Sequence, residues 1–288
     1  MIEKNQIFPL GIGTWKIDTL NFKNALEALE VSISKGQNYM SLYMQYENGE
    51  IVRQSKQFID LVGKENLFIN TSLEGIINST EEVGKQLDEY LVTLGLDYVD
   101  SLQIHHPWFA RIPLIEIYGE IKRQVDAGKV RYIGISNASP IQVKEINKEI
   151  KLDFFEGLFN LECRKYEDLG VFDYCNEHNI KIFCFQPLRR NRTAKRNYPI
   201  LIKLSQKYQK TQNQIILNWI LKEKKIGAIV KSTNIQRIVE NLSSMDFSMS
   251  EEDYYELNTF RVDEFDKVVI DWTGNGGITI DQLANQFK

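Results

Sequence analysis

Leu114-Ile115-Glu116-Ile117-Tyr118-Gly119-Glu120-Ile121-Lys122-Arg123-Gln124-Val125-Asp126-Ala127-Gly128-Lys129-Val130-Arg131-Tyr132-Ile133-Gly134-Ile135-Ser136-Asn137 sets a helix, a stop and a strand end to end. Residues 114–127 carry a helical pattern, Gly128 falls where a C-cap is expected, and 130–136 form an apolar run of strand length. The unit repeats in both directions. Apolar runs recur at 39–42, 67–71, 99–105, 154–162, 181–187 and 227–231, with 11–14 a weaker first member. Helical patterns lie between them at 22–35, 80–94 and 200–208, and Thr80-Glu81-Glu82 reads as a helix start. Apolar rather than alternating strands belong to a parallel sheet covered on both faces. Eight such units without a linker predict an α/β fold, a closed (β/α)₈ TIM barrel, as one domain over 1–288. The tail 261–288, with Asp271-Trp272-Thr273-Gly274-Asn275-Gly276-Gly277, breaks the rhythm. It is expected to be an appended loop near the top of the barrel.

Composition narrows the function. A net charge of −4 gives no global basic field for nucleic acid. Cys163, Cys175 and Cys184 match no metal spacing and make no disulfide framework, which suits a reducing compartment. The N-terminus lacks a signal pattern and no apolar run approaches membrane-spanning length. A cytoplasmic protein with a small-molecule substrate, no nucleic acid, no membrane and no metal is expected.

In a barrel of this kind, reactive residues sit at the C-terminal ends of the strands. That rule selects Gly13-Thr14-Trp15, Ser41 to Tyr46, Ser72, His105, Ser136-Asn137, Asn160 to Glu162, Phe185 to Leu188 with Gln186, and Lys231-Ser232. Tyr46 and His105 at two strand ends are able together to move a proton, although either alone reads as a structural residue. In Lys231-Ser232-Thr233-Asn234-Ile235-Gln236-Arg237, a cation ends a strand, a hydroxyl follows and an Arg stands in the next helical turn. These three are able to converge on one phosphate, where Arg would supply a planar donor fork and Lys a point charge. The competing reading is an ordinary surface loop.

At this point the residues resemble the aldo-keto reductase family. Gly11-Ile12-Gly13-Thr14-Trp15 is similar to its opening strand, and Tyr46-Glu47-Asn48-Gly49-Glu50 to the segment with its catalytic tyrosine. Asp100-Ser101-Leu102-Gln103-Ile104-His105-His106-Pro107 resembles the strand ending in its catalytic histidine. Residues 128–137, Phe183-Cys184-Phe185-Gln186-Pro187-Leu188 and the 231–241 segment complete the order. The resemblance implies NADP(H) bound without a Rossmann fingerprint. It implies Ser136 and Asn137 on the carboxamide, Asn160 in place of the usual glutamine, and the Phe185 ring against the nicotinamide. It further implies Lys231, Ser232 and Arg237 on the 2′-phosphate, with Glu240 and Asn241 at the adenine. The loop Arg189-Arg190-Asn191-Arg192-Thr193-Ala194-Lys195-Arg196 either covers the pyrophosphate or, the favoured reading, is a solvated basic loop.

Two positions depart from the family. Ser41 stands where its catalytic Asp is expected, and Ser72 where its Lys is expected. A neighbouring ammonium lowers the cost of forming a phenolate from tyrosine. Losing the acid and the base together leaves neither buried alone. Three readings follow: a carbonyl reductase using Tyr46 or a protonated His105 as proton donor, with His105 expected to matter more; a silenced NADP(H) binder acting as sensor or scaffold; or an altered-redox enzyme such as a sugar epimerase. Trp108, Phe109 and Trp272 are candidates for an apolar substrate pocket. The arginines of 189–196 instead suit an anionic or sugar-like carbonyl substrate.

Overall fold

A parallel strand needs a crossover of a dozen or more residues, and this chain supplies one after each strand. In the computed structural model, residues 1–17, 22–44, 49–223, 226–262, 268–270 and 278–279 are described. In order they form β1 (Leu10–Gly13), α1 (Phe22–Ser34), β2 (Tyr39–Ser41), α2 (Glu50–Val62), β3 (Phe68–Leu73), α3 (Thr80–Leu94), β4 (Val99–Ile104) and α4 (Leu114–Asp126). Next come β5 (Val130–Ser136), α5 (Pro140–Glu149), β6 (Phe154–Leu158), the short α6 (Lys165–Asp168) and α7 (Val171–Glu177), and β7 (Lys181–Phe185). Then follow α8 (Arg192–Lys195), α9 (Pro199–Tyr208), α10 (Gln212–Glu223), β8 (Ile226–Val230), α11 (Ile235–Leu242) and α12 (Glu251–Thr259). The eight strands close into a parallel barrel, with β1 pairing β8 through Leu10–Ala228 and Ile12–Val230.

The barrel lumen is filled in layers. Near its N-terminal end Tyr39, Phe68, Phe154 and Phe183 pack ring on ring, with Tyr39 and Phe183 stacked at 3.9 Å. Gly227 makes room for this layer, because a Cβ there would stand 2.3 Å from the Phe183 ring. Outside the strands, leucines, isoleucines and valines from sheet and helices form one continuous core. α4 ends at Asp126, Ala127 is its C-cap, and Gly128 turns the chain at φ +76°.

Two expectations change. The run 154–162 yields a strand only to Leu158, because Asn160 Oδ1 accepts the N–H groups of Glu162 (3.0 Å) and Cys163 (2.8 Å) and bends the chain. The tail is more than a loop: β9 (Val268–Ile270) and β10 (Ile278–Thr279) pair antiparallel. The reason is compositional, since both segments consist of β-branched residues. The expected packing of the tail on the barrel top, and Trp272, lie outside the described residues. Among the described residues no helix is long and apolar enough to cross a membrane.

Candidate active site

The C-terminal mouth of the barrel opens into a cleft of about 540 Å³. Gly13, Thr14 and Trp15 reach it from β1 and the loop after it, Ser41 from β2, and His105 from the end of β4. Phe185, Gln186 and Leu188 follow from β7, Lys231 and Ser232 from β8, and Arg237, Glu240 and Asn241 from α11. Most of the residues selected from the sequence therefore share one cavity. Tyr46 lies outside the described residues. Ser72, Ser136, Asn137 and Asn160 are not on the cavity wall.

Ser136 and Asn137 stand behind His105. The Ser136 hydroxyl is 3.4 Å from His105 Nδ1, and Asn137 Nδ2 donates to the His105 carbonyl at 3.0 Å. Asn160 spends its side-chain oxygen on the turn after β6, and its amide reaches the Gln186 carbonyl at 3.4 Å. Phe185 is 6.2 Å from the His105 ring. Trp108 and Phe109 pack on His106 at 4.6 and 5.5 Å instead of lining the cleft.

The outer end of the cleft is cationic and wet. Lys231 and Arg237 are exposed. Asn234 caps α11 by accepting the Arg237 N–H at 3.0 Å, and the Ser232 hydroxyl accepts the Asn234 N–H at 3.0 Å. A helix N-terminus with two cations beside it is a site for an anion. The 189–196 loop is not uniformly solvated. Arg189 is buried in an ion pair with Glu162, and Arg190 lies over the Trp15 ring at 3.9 Å. Three successive left-handed residues, Arg189, Arg190 and Asn191, turn the loop so that all three border the cleft.

The inner end is of the opposite kind. Glu156 on β6 is 2% exposed and lines the cavity floor. Its Oε1 accepts from the Tyr43 hydroxyl at 2.6 Å, and its Oε2 from Asn70 Nδ2 at 3.0 Å and the Tyr39 hydroxyl at 3.3 Å. Gln103 Nε2 donates to the Tyr43 hydroxyl at 2.7 Å. Burial pushes the Glu156 carboxyl up to about 7, against the pull of these hydrogen bonds. Sequence reasoning missed this network. The available signal was period two: Asn70 and Gln103 each stand two residues before a selected strand-end residue, on the same face. Glu156 is likewise an acid flanked by apolar residues within the strand Phe154–Leu158.

His105 is 1% exposed, and burial with His106 beside it holds its pKa well below the ordinary histidine value. The neutral imidazole is the form present near pH 7, which corrects the expectation of a proton-donating imidazolium. Ser72 donates to Glu74 Oε1 beside a smaller pocket of about 240 Å³, lined also by Met44, Gln86 and Tyr90. Burial pushes Glu74 up to about 8. Among the described residues no group of three or more His, Cys, Asp or Glu is placed to hold a metal.

Comparison with known proteins gives one consistent result. Residues 9–262 match the family model of the Aldo/keto reductase family. The glyoxal reductase of Bacillus subtilis (strain 168) is 26% identical over 261 residues, 88% of this chain and 89% of that protein. A thermostable aldo-keto reductase crystallised with the inhibitor epalrestat matches with a TM-score of 0.81 at 27% identity, over 88% of this chain and 95% of its own. An aldo-keto reductase of Bombyx mori in complex with NADP matches with a TM-score of 0.76 at 25% identity, over 92% of each chain.

Proposed function

Since the chain belongs to the aldo/keto reductase family, we propose that it is an NADP(H)-dependent oxidoreductase that reduces a small aldehyde or ketone. The observation that carries this reading is a single cleft with Lys231, Ser232 and Arg237 at one end and His105 and Phe185 at the other. Two cations and a hydroxyl at a helix start suit a phosphate dianion and are poorly used on a neutral ribose hydroxyl. The donor set therefore fits NADP(H).

When bound, the reduced nicotinamide supplies a hydride to the carbonyl carbon. The chain's own residues do the rest. Phe185 offers a ring face, Ser136 and Asn137 fix the histidine, and neutral His105 orients the carbonyl oxygen by hydrogen bonding. Tyr46, carried over from the family resemblance, gives the oxygen its proton. Arg190 and Lys16 at the rim suit a carbonyl compound with an anionic or sugar-like group.

NADPH is expected to bind at least about tenfold tighter than NADH, and Arg237→Ala to remove that preference, since a charge-assisted hydrogen bond contributes about 1.5–3 kcal/mol. Fluorescence titration of both nucleotides checks this; equal affinities for the intact protein would refute the assignment. A second reading, a silenced cofactor binder, draws support from Ser41 and Ser72. Following NADPH absorbance with a panel of aldehydes and ketones separates the two, because a silenced binder consumes none.

A further inference from the structure

The floor of the cleft holds a buried acid, Glu156, that the reduction step does not use. We propose that Glu156 is the residue by which this site distinguishes the oxidised nicotinamide from the reduced one, its carboxylate holding the positively charged ring more tightly than the neutral ring. The proposal rests on the cofactor assignment above and deepens it.

Placement follows from the two ends of the cleft. With the 2′-phosphate on Lys231, Ser232 and Arg237 at the outer end, the nicotinamide, which is the opposite end of the dinucleotide, falls at the inner end. Glu156, His105 and Phe185 line that end. β6 and β7 pair through Glu156–Phe183 and Leu158–Phe185, so Glu156 and Phe185 are near neighbours on the wall that both line. Only 2% of Glu156 is exposed, so a charge there is little screened by salt or water.

The carboxyl is also fixed in place. Tyr43 donates to its Oε1 at 2.6 Å, and Asn70 and Tyr39 donate to Oε2 at 3.0 and 3.3 Å. The titratable groups around it are Tyr39 and Tyr43 from β2 and the loop after it, Cys184 from β7, and His105 at the end of β4. Burial holds Tyr39 and Cys184 above their ordinary values, and His105 below its own, so all three are neutral near pH 7. Asn70 of β3, Gln103 of β4 and Ser136 of β5 bring no charge. Burial and hydrogen bonds, with no cation among the causes, set the Glu156 carboxyl at about 7.

A neutral ring against this acid keeps water away and favours the protonated form. The ring that has given up its hydride carries a positive charge and favours the carboxylate. An opposite charge about 7 Å away, at an effective dielectric of about 20, is worth more than about tenfold in that preference. Binding of NADP⁺ below about pH 7 therefore expels the Glu156 proton to water, whereas NADPH leaves it in place. The site holds the oxidised cofactor more tightly as pH rises, and mildly acid conditions speed its exchange.

The test is fluorescence titration of the full chain with NADPH and with NADP⁺ across a series from about pH 5.5 to about pH 9, on wild type, Glu156→Gln and Tyr43→Phe. A phosphate monoester titrates at about pH 6 in both nucleotides, so the ratio of the two affinities is the readout. In wild type the preference for NADP⁺ over NADPH should rise about tenfold between about pH 5.5 and about pH 8. Glu156→Gln, an uncharged isostere of the protonated acid, should hold the ratio near the low-pH value of wild type throughout. In Tyr43→Phe the midpoint of the rise should move to higher pH, because the carboxylate loses its shortest hydrogen bond. That variant decides the matter if Glu156→Gln does not fold. A level ratio in wild type, a rise that survives in Glu156→Gln, or an unmoved midpoint in Tyr43→Phe overturns the role of Glu156 and leaves the cofactor assignment standing. Failure of wild type to bind either nucleotide overturns both.

Discussion

Asp100 and Glu156 are both buried acids of one barrel, and they are treated in opposite ways. Asp100, near the start of β4, accepts from Lys64 at 2.5 Å, from Arg131 at 2.8 Å and from the Ile69 N–H at 2.8 Å. Arg131 also reaches Glu3 and the Ile2 carbonyl, so the N-terminal segment is stitched under the barrel floor. Glu156, nearer the mouth, is met among the described residues by phenols and amides. Charges at the closed end are neutralised by cations and hold the fold; burial at the open end instead favours the protonated form of the acid. The division matches the general one between the stability face and the active face of such barrels.

The largest effect expected from this contrast is at the closed end. Asp100→Ala should cost about 3 kcal/mol, the lower part of the range for breaking a buried pair, because Lys64 and Arg131 retain some access to water. Urea denaturation checks it. A loss below about 1 kcal/mol would mean that the two cations gain nothing from Asp100 and that the contrast is one of geometry alone.

At the open end the sign is reversed and depends on pH. The folded state holds the Glu156 proton more tightly than the unfolded chain, so unfolding releases a proton between about 4.5 and 7. Stability contributed at this site is therefore lost as pH rises through that window and is level above it. Glu156→Gln removes the dependence. Relative to wild type, the variant should gain about 3 kcal/mol between pH 4 and pH 8, a swing from which any pH-independent cost of its amide facing Asn70 cancels. Denaturation curves for both proteins at the two pH values measure the swing. An unchanged difference would show that Glu156 ionises as readily folded as unfolded.

The same contrast explains what the sequence made legible. Parallel strands buried on both faces leave apolar runs, so β5 and α3 could be delimited to the residue, and the barrel followed from their repetition. The outer end of the cleft was legible because Lys231, Ser232 and Arg237 lie within one strand–helix turn. The inner network was not, because Tyr43, Asn70 and Gln103 are 113, 86 and 53 positions from Glu156 and meet only when the barrel closes. Polar residues within a strand look alike until it is known which face is the lumen. The basic loop misled for a related reason: Glu162 and Trp15, which engage Arg189 and Arg190, are distant in sequence.

The smallest predicted effect tests whether a cation converts the one kind of acid into the other. Glu74 lies between the two cases: its Oε1 is bonded by Ser72, and its Oε2 is buried without a partner among the described residues. The pocket of about 240 Å³ beside Ser72 has room for a longer side chain. Ser72→Lys places an ammonium next to this carboxyl, so the pair forms in place of an isolated buried charge. The single substitution should therefore cost less than about 1 kcal/mol, where an unpaired buried cation would cost several. With Ser41→Asp added, reduction of a generic aldehyde should rise by about tenfold, about 1.4 kcal/mol in barrier. Thermal melts of Ser72→Lys with and without Glu74→Ala, alongside NADPH consumption, check both parts. If Ser72→Lys melts far below wild type and Glu74→Ala makes no further difference, Glu74 does not accept the cation. The mouth of the barrel then lacks the means to build an Asp100-like pair.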